Sequence, residues 1–119
     1  MHTPHIIYHP RCGTCKKALQ WLQAQGVAYT QQDLTIQAPT RQELTEWFHR
    51  SGLPINKLFN TSGQQYRALN VKALISTATA DELLDLLASD SMLIKRPILV
   101  TAKGVAFGFK TDSFEKLLG

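Results

Sequence analysis

The chain has 119 residues, of which 44% are hydrophobic, and a formal net charge of +4. This length predicts a single domain over residues 1–119, and this hydrophobic content can bury a core without disulfide staples. The modest positive charge suits an anionic substrate or partner, or simply a solvated surface, and no motif typical of direct nucleic-acid binding is present.

The N-terminal sequence MHTPHIIYHP has neither the charged leader nor the long apolar run of a signal peptide. No segment reaches the roughly 18 apolar residues that a membrane span needs. We therefore expect a cytoplasmic, monomeric protein without membrane attachment, in which free thiols stay reduced.

The first part of the chain predicts a strand, a helix and a second strand. Ile6–Tyr8 is a short apolar run that stops before Pro10, as a buried strand would. From Cys15 the apolar residues recur with helical spacing, and Gly26 is placed to end that helix. Val27–Leu34 predicts the second strand, and a βαβ unit of this length makes the two strands parallel.

The middle of the chain, residues 40–88, predicts a wholly helical segment. Capping boxes at Thr40–Glu43 and Thr79–Glu82 open two helices. Shorter helices are expected over Ile55–Phe59 and Gly63–Leu69. The predicted buried side chains of the two capped helices are Leu44, Trp47, Phe48, Leu83, Leu84, Leu86 and Leu87.

Strand character returns near the C-terminus. Pro97–Thr101 and Val105–Phe109 are apolar runs that flank the short Gly-containing loop Ala102–Gly104, which predicts a hairpin. Thr111–Ser113 opens a last helix, whose inward residues are expected to be Phe114, Leu117 and Leu118.

These elements together predict an α/β protein with a thioredoxin-like fold. The order is βαβ, a helical insert, and ββα, which gives a four-stranded mixed sheet with flanking helices. The thioredoxin-like core is expected over residues 1–39 and 90–119, and the insert over residues 40–89.

Both cysteines lie in the sequence HPRCGTCKK, at the predicted junction of the first strand and helix. Cys12 falls at the helix N-terminus, where unpaired N–H groups and the helix macrodipole favour a thiolate. The positive charges of Arg11, Lys16 and Lys17 act in the same direction. Cys15 lies one turn later on the core-facing side, so Cys12 is interpreted as the nucleophile and Cys15 as the resolving thiol.

Two alternative roles for the cysteine pair stay open. A metal site needs two further ligands, for which His2, His5 and His9 are the nearby candidates, but there is no second Cys-x-x-Cys motif, and we expect no metal. The pair could also have no function. A Cys-x-x-Cys motif at a βα junction nonetheless favours redox chemistry.

Arg96-Pro97 lies at the start of a predicted strand, where a proline costs no ladder hydrogen bond. Thioredoxin-like folds carry a cis-proline here that packs against the active-site cysteine, and this would put Arg96 beside Cys12. The alternative is an edge-strand proline next to an exposed arginine.

Several segments resemble the ArsC/Spx family across essentially the whole chain. These are YHPRCGTCKK, Ala38-Pro39-Thr40, FNTSGQQYRALN, LLASDSMLIKRP and the final GF strand. The resemblance implies a thioredoxin fold with a helical insertion and a cytosolic location. Family members include glutaredoxin-dependent arsenate reductases, Spx-type regulators that bind the RNA polymerase α subunit, and little-characterised thiol proteins, which this chain resembles most.

The family's arsenate reductases use one cysteine, matched by Cys12, and three arginines around the oxyanion, of which Arg96 matches one. The other two positions fall on Asn60 and on Phe109. The resemblance therefore implies weak or absent arsenate reduction. It also implies catalytic roles for Cys12, Cys15 and Arg96, and substrate contacts from Arg11, Gly13, Thr14, Asn60, Pro97 and Lys110.

We thus expect a thiol–disulfide oxidoreductase that uses the pair Cys12 and Cys15 and holds no bound cofactor. Its reducing equivalents and partner would be glutathione with glutaredoxin, or thioredoxin. The alternative is a redox-sensing Spx-type regulator that binds the RNA polymerase α subunit. Such regulators usually continue in a polar tail, whereas this sequence stops at Gly119, which favours the oxidoreductase.

Overall fold

The computed structural model describes residues 3–119, so His2, one of the candidate metal ligands, lies outside the described residues. The chain divides into two compact units. The first comprises the chain up to Ala38 together with Arg96–Gly119, and the second comprises Pro39–Lys95. The sequence placed these two boundaries after residues 39 and 89.

The predicted strands and helices occur in the predicted order, together with two short helices, Val71–Ile75 and Ser91–Leu93, that the sequence did not predict. They are β1 (His5–Tyr8), α1 (Gly13–Ala24), β2 (Thr30–Asp33), α2 (Arg41–Ser51), a 3-10 helix (Ile55–Leu58), α3 (Gln64–Ala68), α4 (Val71–Ile75), α5 (Ala80–Ser89), a 3-10 helix (Ser91–Leu93), β3 (Ile98–Thr101), β4 (Gly104–Phe107) and α6 (Thr111–Leu118).

The first unit contains the four-stranded sheet, in the order β2-β1-β3-β4. β1 runs parallel to β2 and antiparallel to β3, and β4 is antiparallel to β3. Tyr8 pairs with Asp33, and Ile98 pairs with both Ile7 and Phe107. The same end of the sheet therefore holds the C-terminal ends of β1, β2 and β4 and the start of β3. This mixed sheet confirms the predicted thioredoxin-like α/β fold.

The core of the first unit forms between this sheet and its helices. Its buried side chains are Ile6, Ala18, Leu22, Leu99 and Phe114. Phe114 is buried as predicted, whereas Leu117 and Leu118 are only partly buried. The rings of Trp21 and Phe109 both contact Phe114, at centroid distances of 5.9 and 5.0 Å.

The strand boundaries of the first unit differ from the predicted ones, and the differences are largest at the start of β2 and the end of β4. β2 begins at Thr30, where pairing with His5 starts and the Thr30 N–H donates to the Pro4 carbonyl. Gly104 pairs with Thr101 and so belongs to β4, which leaves only two residues in the hairpin loop. β4 then ends at Phe107, because Gly108 has a φ of 85° that no extended strand allows.

The second unit contains the two helices predicted from capping boxes, and both boxes are confirmed. The Thr40 and Thr79 hydroxyls accept the N–H groups of Glu43 and Glu82, and each glutamate side chain accepts the threonine's own N–H. Arg41 on α2 also donates to Asp85 on α5, with an Nε–Oδ1 distance of 2.7 Å.

The buried apolar side chains of this unit are Leu44, Trp47, Leu58, Phe59, Val71, Leu83, Leu84, Leu87, Leu93 and Ile94. Phe48 and Leu86, which the sequence placed inside, are only half-buried.

The prediction of a wholly helical middle segment is wrong in detail. Asn70 has a left-handed φ of 50° and separates α3 from α4, a helix that the sequence did not predict. Phe59 lies outside the 3-10 helix and forms an isolated antiparallel bridge with Ile94. No helix within residues 3–119 is long and apolar enough to cross a membrane.

Candidate active site

A tight turn after β1 places Cys12 at the N-terminus of α1, where the sequence predicted it. The Cys12 N–H donates to the His9 carbonyl at 3.1 Å, and the Cys12 carbonyl accepts the Lys16 N–H at 3.0 Å. Cys12 is the N-cap residue, with extended backbone angles, and its side chain is half-buried. The thiol therefore sits where the helix presents unpaired N–H groups.

The pKa of Cys12 lies below the ordinary value for a thiol. Burial is the largest influence and acts in the opposite direction, by raising it. The backbone N–H and the thiol of Cys15, followed by the side chain and the positive charge of Arg96, act as donors toward the Cys12 sulfur, and together they outweigh burial and lower the pKa. The Cys15 N–H does not reach the geometry of a helix-capping hydrogen bond to the Cys12 side chain.

Cys15 is the opposite kind of thiol. Its side chain is 0% exposed, and burial, the main cause, raises its pKa to about 12. The neighbouring Cys12 raises it further by hydrogen bonding and by its charge, whereas the His9 N–H, at 3.5 Å from the sulfur, and Arg96 lower it. Both cysteines are free thiols in this structure. The pair thus combines one accessible thiol that ionises readily with one buried thiol that does not.

Arg96, which lies just before β3, acts on the Cys12 thiol although it is far from it in the sequence. Its charge and a hydrogen bond from its side chain lower the pKa of Cys12. Within residues 3–119 its Nη1 atom is buried and has no hydrogen-bond partner. A buried guanidinium nitrogen without an acceptor is a donor available to an anion or a thiolate.

The peptide bond between Arg96 and Pro97 is cis, and the Pro97 carbonyl accepts the Gly108 N–H at 2.8 Å. Pro97 is buried, and the strand that follows it lies between β1 and β4. The alternative of an edge-strand proline is therefore wrong.

His9 is a site residue whose role the sequence did not reveal, since it was considered only as a metal ligand. Its backbone N–H faces Cys15 and its carbonyl accepts from Cys12, so it contacts both thiol residues. The Arg11 N–H donates to Nδ1 at 3.0 Å, which places the proton of the neutral ring on Nε2. Burial, Arg96 and Arg11 lower the pKa of His9, against the opposing charge of Asp33.

The other residues predicted on the first unit are brought to the same end of the sheet. Arg11, Gly13 and Thr14 are exposed on the turn and the first helical residues, and Lys110 is exposed as the N-cap of α6. A Cβ at position 13 would meet nothing within 4 Å, so no close contact requires a glycine there.

The two predicted arginine replacements have different surroundings. Asn60 lies in the second unit, where its N–H donates to the Leu93 carbonyl and its Oδ1 accepts the Ser62 hydroxyl. Its role as a substrate contact stays a prediction. Phe109 packs its ring against Trp21 and Phe114 in the first unit, so this position serves the core.

Among residues 3–119, no group of three or more His, Cys, Asp or Glu side chains is placed to hold a metal ion. His5, one of the candidate ligands, instead has its ring nitrogens within 2.6 Å of the Thr30 hydroxyl and 3.0 Å of Gln32 Oε1. These contacts account for both nitrogens of the ring.

The mixed sheet, the cysteine at the N-terminus of α1 and the cis-proline before β3 define a thioredoxin-like protein with a Cys-x-x-Cys motif. The chain belongs to the ArsC family, whose model matches residues 8–117.

Relatives of known sequence or structure agree with this assignment. The chain is 45% identical to the uncharacterized protein YusI of Bacillus subtilis (strain 168), over 92% of both chains. It is 31% identical to the regulatory protein MgsR of the same strain, over 92% of this chain and 85% of that one. An ArsC family related protein from Bacteroides fragilis superposes with a TM-score of 0.93 at 40% identity, over 98% of both chains.

Proposed function

We propose that this ArsC-family protein is a thiol–disulfide oxidoreductase in which Cys12 is the nucleophile and Cys15 the resolving thiol. The observation that carries this proposal is the different placement of the two thiols, since Cys12 is half-buried at the N-terminus of α1 whereas Cys15 is fully buried. In agreement with this placement, Cys15 and Arg96 lower the pKa of Cys12, while burial raises the pKa of Cys15 to about 12. Such pairs of groups with separated pKa values are typical of sites in which each group has its own role.

The reaction begins at Cys12. Its thiolate attacks one sulfur of a substrate disulfide, the substrate S–S bond breaks, and one substrate thiolate leaves and takes up a proton. Arg96 stabilises the thiolate before attack through its charge and its hydrogen bond. The product of this step is a mixed disulfide between Cys12 and the remaining substrate half.

The second step uses Cys15. Once Cys12 is part of a mixed disulfide, it no longer carries a negative charge or accepts a hydrogen bond from the Cys15 thiol. Two causes that raise the pKa of Cys15 are then removed, while the His9 N–H and Arg96 still lower it. Cys15 loses its proton to solvent and attacks the Cys12 sulfur, which releases the second substrate thiolate and leaves a disulfide between Cys12 and Cys15.

An external dithiol or thiol must reduce that disulfide before the next cycle. We propose glutathione with glutaredoxin, or thioredoxin, as the source of the two electrons, with no bound cofactor. The half-buried, cation-flanked Cys12 is the sulfur of the pair that such a reductant can reach.

Arsenate is a poor substrate in this proposal. An oxyanion that leaves water must recover its hydrogen bonds from oriented donors, and a planar arginine provides two at once. Arg96 offers an unpartnered buried nitrogen, but Asn60 cannot replace a guanidinium and Phe109 is committed to aromatic packing. One lost donor of this kind costs about 10²–10³ in rate.

Single cysteine variants test the proposal. With Cys15→Ser, the first step should proceed and a mixed disulfide with a labelled substrate should accumulate, visible by mass spectrometry. With Cys12→Ser, no mixed disulfide should form at Cys15. Accumulation of a mixed disulfide on Cys15 in the second variant, or no mixed disulfide on Cys12 in the first, would exclude the assigned roles.

A second candidate function is redox-sensing regulation, and the observation that favours it is the similarity to MgsR, named as a regulatory protein. In this case, oxidation of Cys12 and Cys15 would change binding to RNA polymerase through its α subunit. A pulldown with the isolated C-terminal domain of that α subunit, under oxidising and under reducing conditions, separates the two functions. Redox-dependent binding without turnover of any disulfide would favour the regulator.

A further inference from the structure

The net positive charge of this protein lies in one of its two units. Residues 3–38 and 96–119 contain seven Lys and Arg but three Asp and Glu, whereas residues 39–95 contain six of each. The entire net charge of +4 therefore belongs to the unit that carries the two thiols.

Within that unit, the charge is concentrated at the Cys12 end of the sheet. Arg11, Lys16 and Lys17 are exposed and surround the thiol in sequence. Arg96 lies just before β3 and Lys110 just after β4. Both are at the Cys12 end of the sheet, because Ile98 pairs with Ile7 near the end of β1 and with Phe107 at the end of β4. Lys103 lies in the β3–β4 loop, at the opposite end of the sheet.

The two acidic residues at the Cys12 end offset this charge only in part. One carboxylate oxygen of Asp33 accepts hydrogen bonds from the Thr35 N–H and the Thr35 hydroxyl, at 2.8 and 2.6 Å. Asp112 is exposed in the first turn of α6. Five cations against two carboxylates leave this end positively charged.

An exposed apolar side chain lies at the same end. Ile36 is 85% exposed, the most of any large hydrophobic residue within residues 3–119. It sits in the turn after β2, whose last residue pairs with Tyr8. This turn is held by N–H groups of Ile36 and Gln37 that both donate to the Asp33 carbonyl, at 3.1 and 2.9 Å.

This surface is wider than a very small ligand could cover. It extends from Ile36 beyond β2 to Lys110 beyond β4, which are the two edges of the sheet. Three strand spacings of about 4.8 Å make this roughly 14 Å, the length of about four extended residues at about 3.3 Å each. A short polypeptide segment fits that span.

We infer that the Cys12 end of the first unit binds an acidic polypeptide, whose disulfide reacts with Cys12 and whose apolar side chain contacts Ile36. This inference rests on the proposed function and names its substrate class. The cations would act mainly through the rate of encounter and the exclusion of basic partners. Because the turn holds its backbone, Ile36 would add an apolar contact without the entropic cost of ordering a loop.

The test uses matched peptide disulfides that differ only in the residues flanking cysteine, which are glutamate, glutamine or lysine, together with a small neutral disulfide. We expect kcat/KM to fall in the order acidic, neutral, basic, with about tenfold or more between the extremes at low salt. The difference should disappear as salt rises from about 0.01 M to about 1 M, because the Debye length falls from about 30 Å to about 3 Å.

Charge-reversal variants show which end of the sheet causes the preference for acidic peptides. Lys17→Glu combined with Lys110→Glu should abolish the acidic-to-basic ratio, whereas Lys103→Glu, with the same kind of change at the opposite end, should preserve it. Ile36→Ser should lower kcat/KM by about fivefold for peptides with a leucine beside the cysteine and leave peptides with alanine there unchanged.

The outcomes separate this inference from the function on which it rests. Turnover of the small disulfide with no preference among the peptides would overturn the inference and keep the oxidoreductase. An acidic preference that Lys103→Glu removes equally would also overturn it, as would a preference for glutathione disulfide over every acidic peptide. Failure to reduce any disulfide would refute the proposed function itself, and this inference with it.

Discussion

Replacing Cys12 should change the reactivity of Cys15 in a direction set by the charge of the replacement. The pKa of Cys15 is about 12, and after burial the hydrogen bond and the charge of Cys12 are the causes that raise it. Cys12→Ser removes the charge, whereas Cys12→Asp keeps a negative charge at the same position. We therefore expect Cys15 to react faster with an alkylating reagent in Cys12→Ser than in Cys12→Asp.

The expected magnitude follows from the fraction of thiolate. At pH 8 a thiol with a pKa of about 12 is about 10⁻⁴ ionised, against about a quarter for a free thiol with a pKa of about 8.5. A more basic thiolate is also a better nucleophile, with a Brønsted slope of about 0.4–0.5, which recovers about 40-fold. Cys15 in Cys12→Asp should thus react roughly 50- to 100-fold more slowly than free cysteine, and more slowly still because it is fully buried.

Mass spectrometry of the alkylated protein over time measures this rate, and circular dichroism shows that both variants are folded. Free cysteine under the same conditions is the reference. Equal rates in the two variants would show that Cys12 does not control the Cys15 proton. A Cys15 that reacts within about tenfold of free cysteine in Cys12→Asp would show that its burial has been overvalued.

Three further changes follow from the contacts described. Arg96→Gln should slow Cys12 alkylation at pH 7 by about tenfold, since a hydrogen bond to a charged group contributes about 1.5–3 kcal/mol and Cys12 is only half-buried. Arg96→Lys should recover part of the rate. An unchanged rate in Arg96→Gln would show that Arg96 does not stabilise the Cys12 thiolate. Thr79→Ala should lower the free energy of unfolding by about 1 kcal/mol in urea titrations through loss of the α5 capping box, with the exposed Thr77→Ala as a control that should change it little. Arsenate turnover with glutathione and glutaredoxin should be near background and should rise in Asn60→Arg. Phe109→Arg should instead lower the free energy of unfolding by at least about 1 kcal/mol, because two ring contacts are lost. Efficient arsenate turnover by the unmodified protein would contradict the assigned need for three arginines.

Local signals in the sequence were enough to predict several elements. Thr40 and Glu43 form a complete cap within four residues, so the start of α2 could be predicted without any tertiary contact. The apolar stripe of α1 likewise predicted that helix, and the glycine at position 26 predicted its end, where the structure has a left-handed φ.

Other features depend on contacts between distant parts of the chain. Val27–Tyr29 has strand-forming residues but no partner in the sheet, because pairing begins where Thr30 meets His5. Asn70 breaks the helix in the second unit, and its tolerance of left-handed backbone angles was the one signal that could have shown this.

The electrostatics of the candidate site were predicted in part. The sequence attributed the ionisation of Cys12 to the helix N-terminus, to Arg96, and to its chain neighbours Arg11, Lys16 and Lys17. In the folded protein the causes that lower the pKa of Cys12 are Cys15, which the sequence did not indicate, and Arg96, which precedes β3. The double role of the His9 backbone, between both cysteines, likewise exists only once the turn after β1 has formed.

The pH dependence of Cys12 alkylation tests the central claim most directly. The rate should rise as pH increases through the lowered pKa of Cys12, because the thiolate is the reactive form. The Cys15→Ala and Arg96→Gln variants, which each remove a side-chain donor to that thiolate, should shift the midpoint upward. A midpoint below the free-thiol value of about 8.5 in the unmodified protein is the result expected here. A midpoint at or above about 8.5 would contradict the assignment of Cys12 as an activated nucleophile.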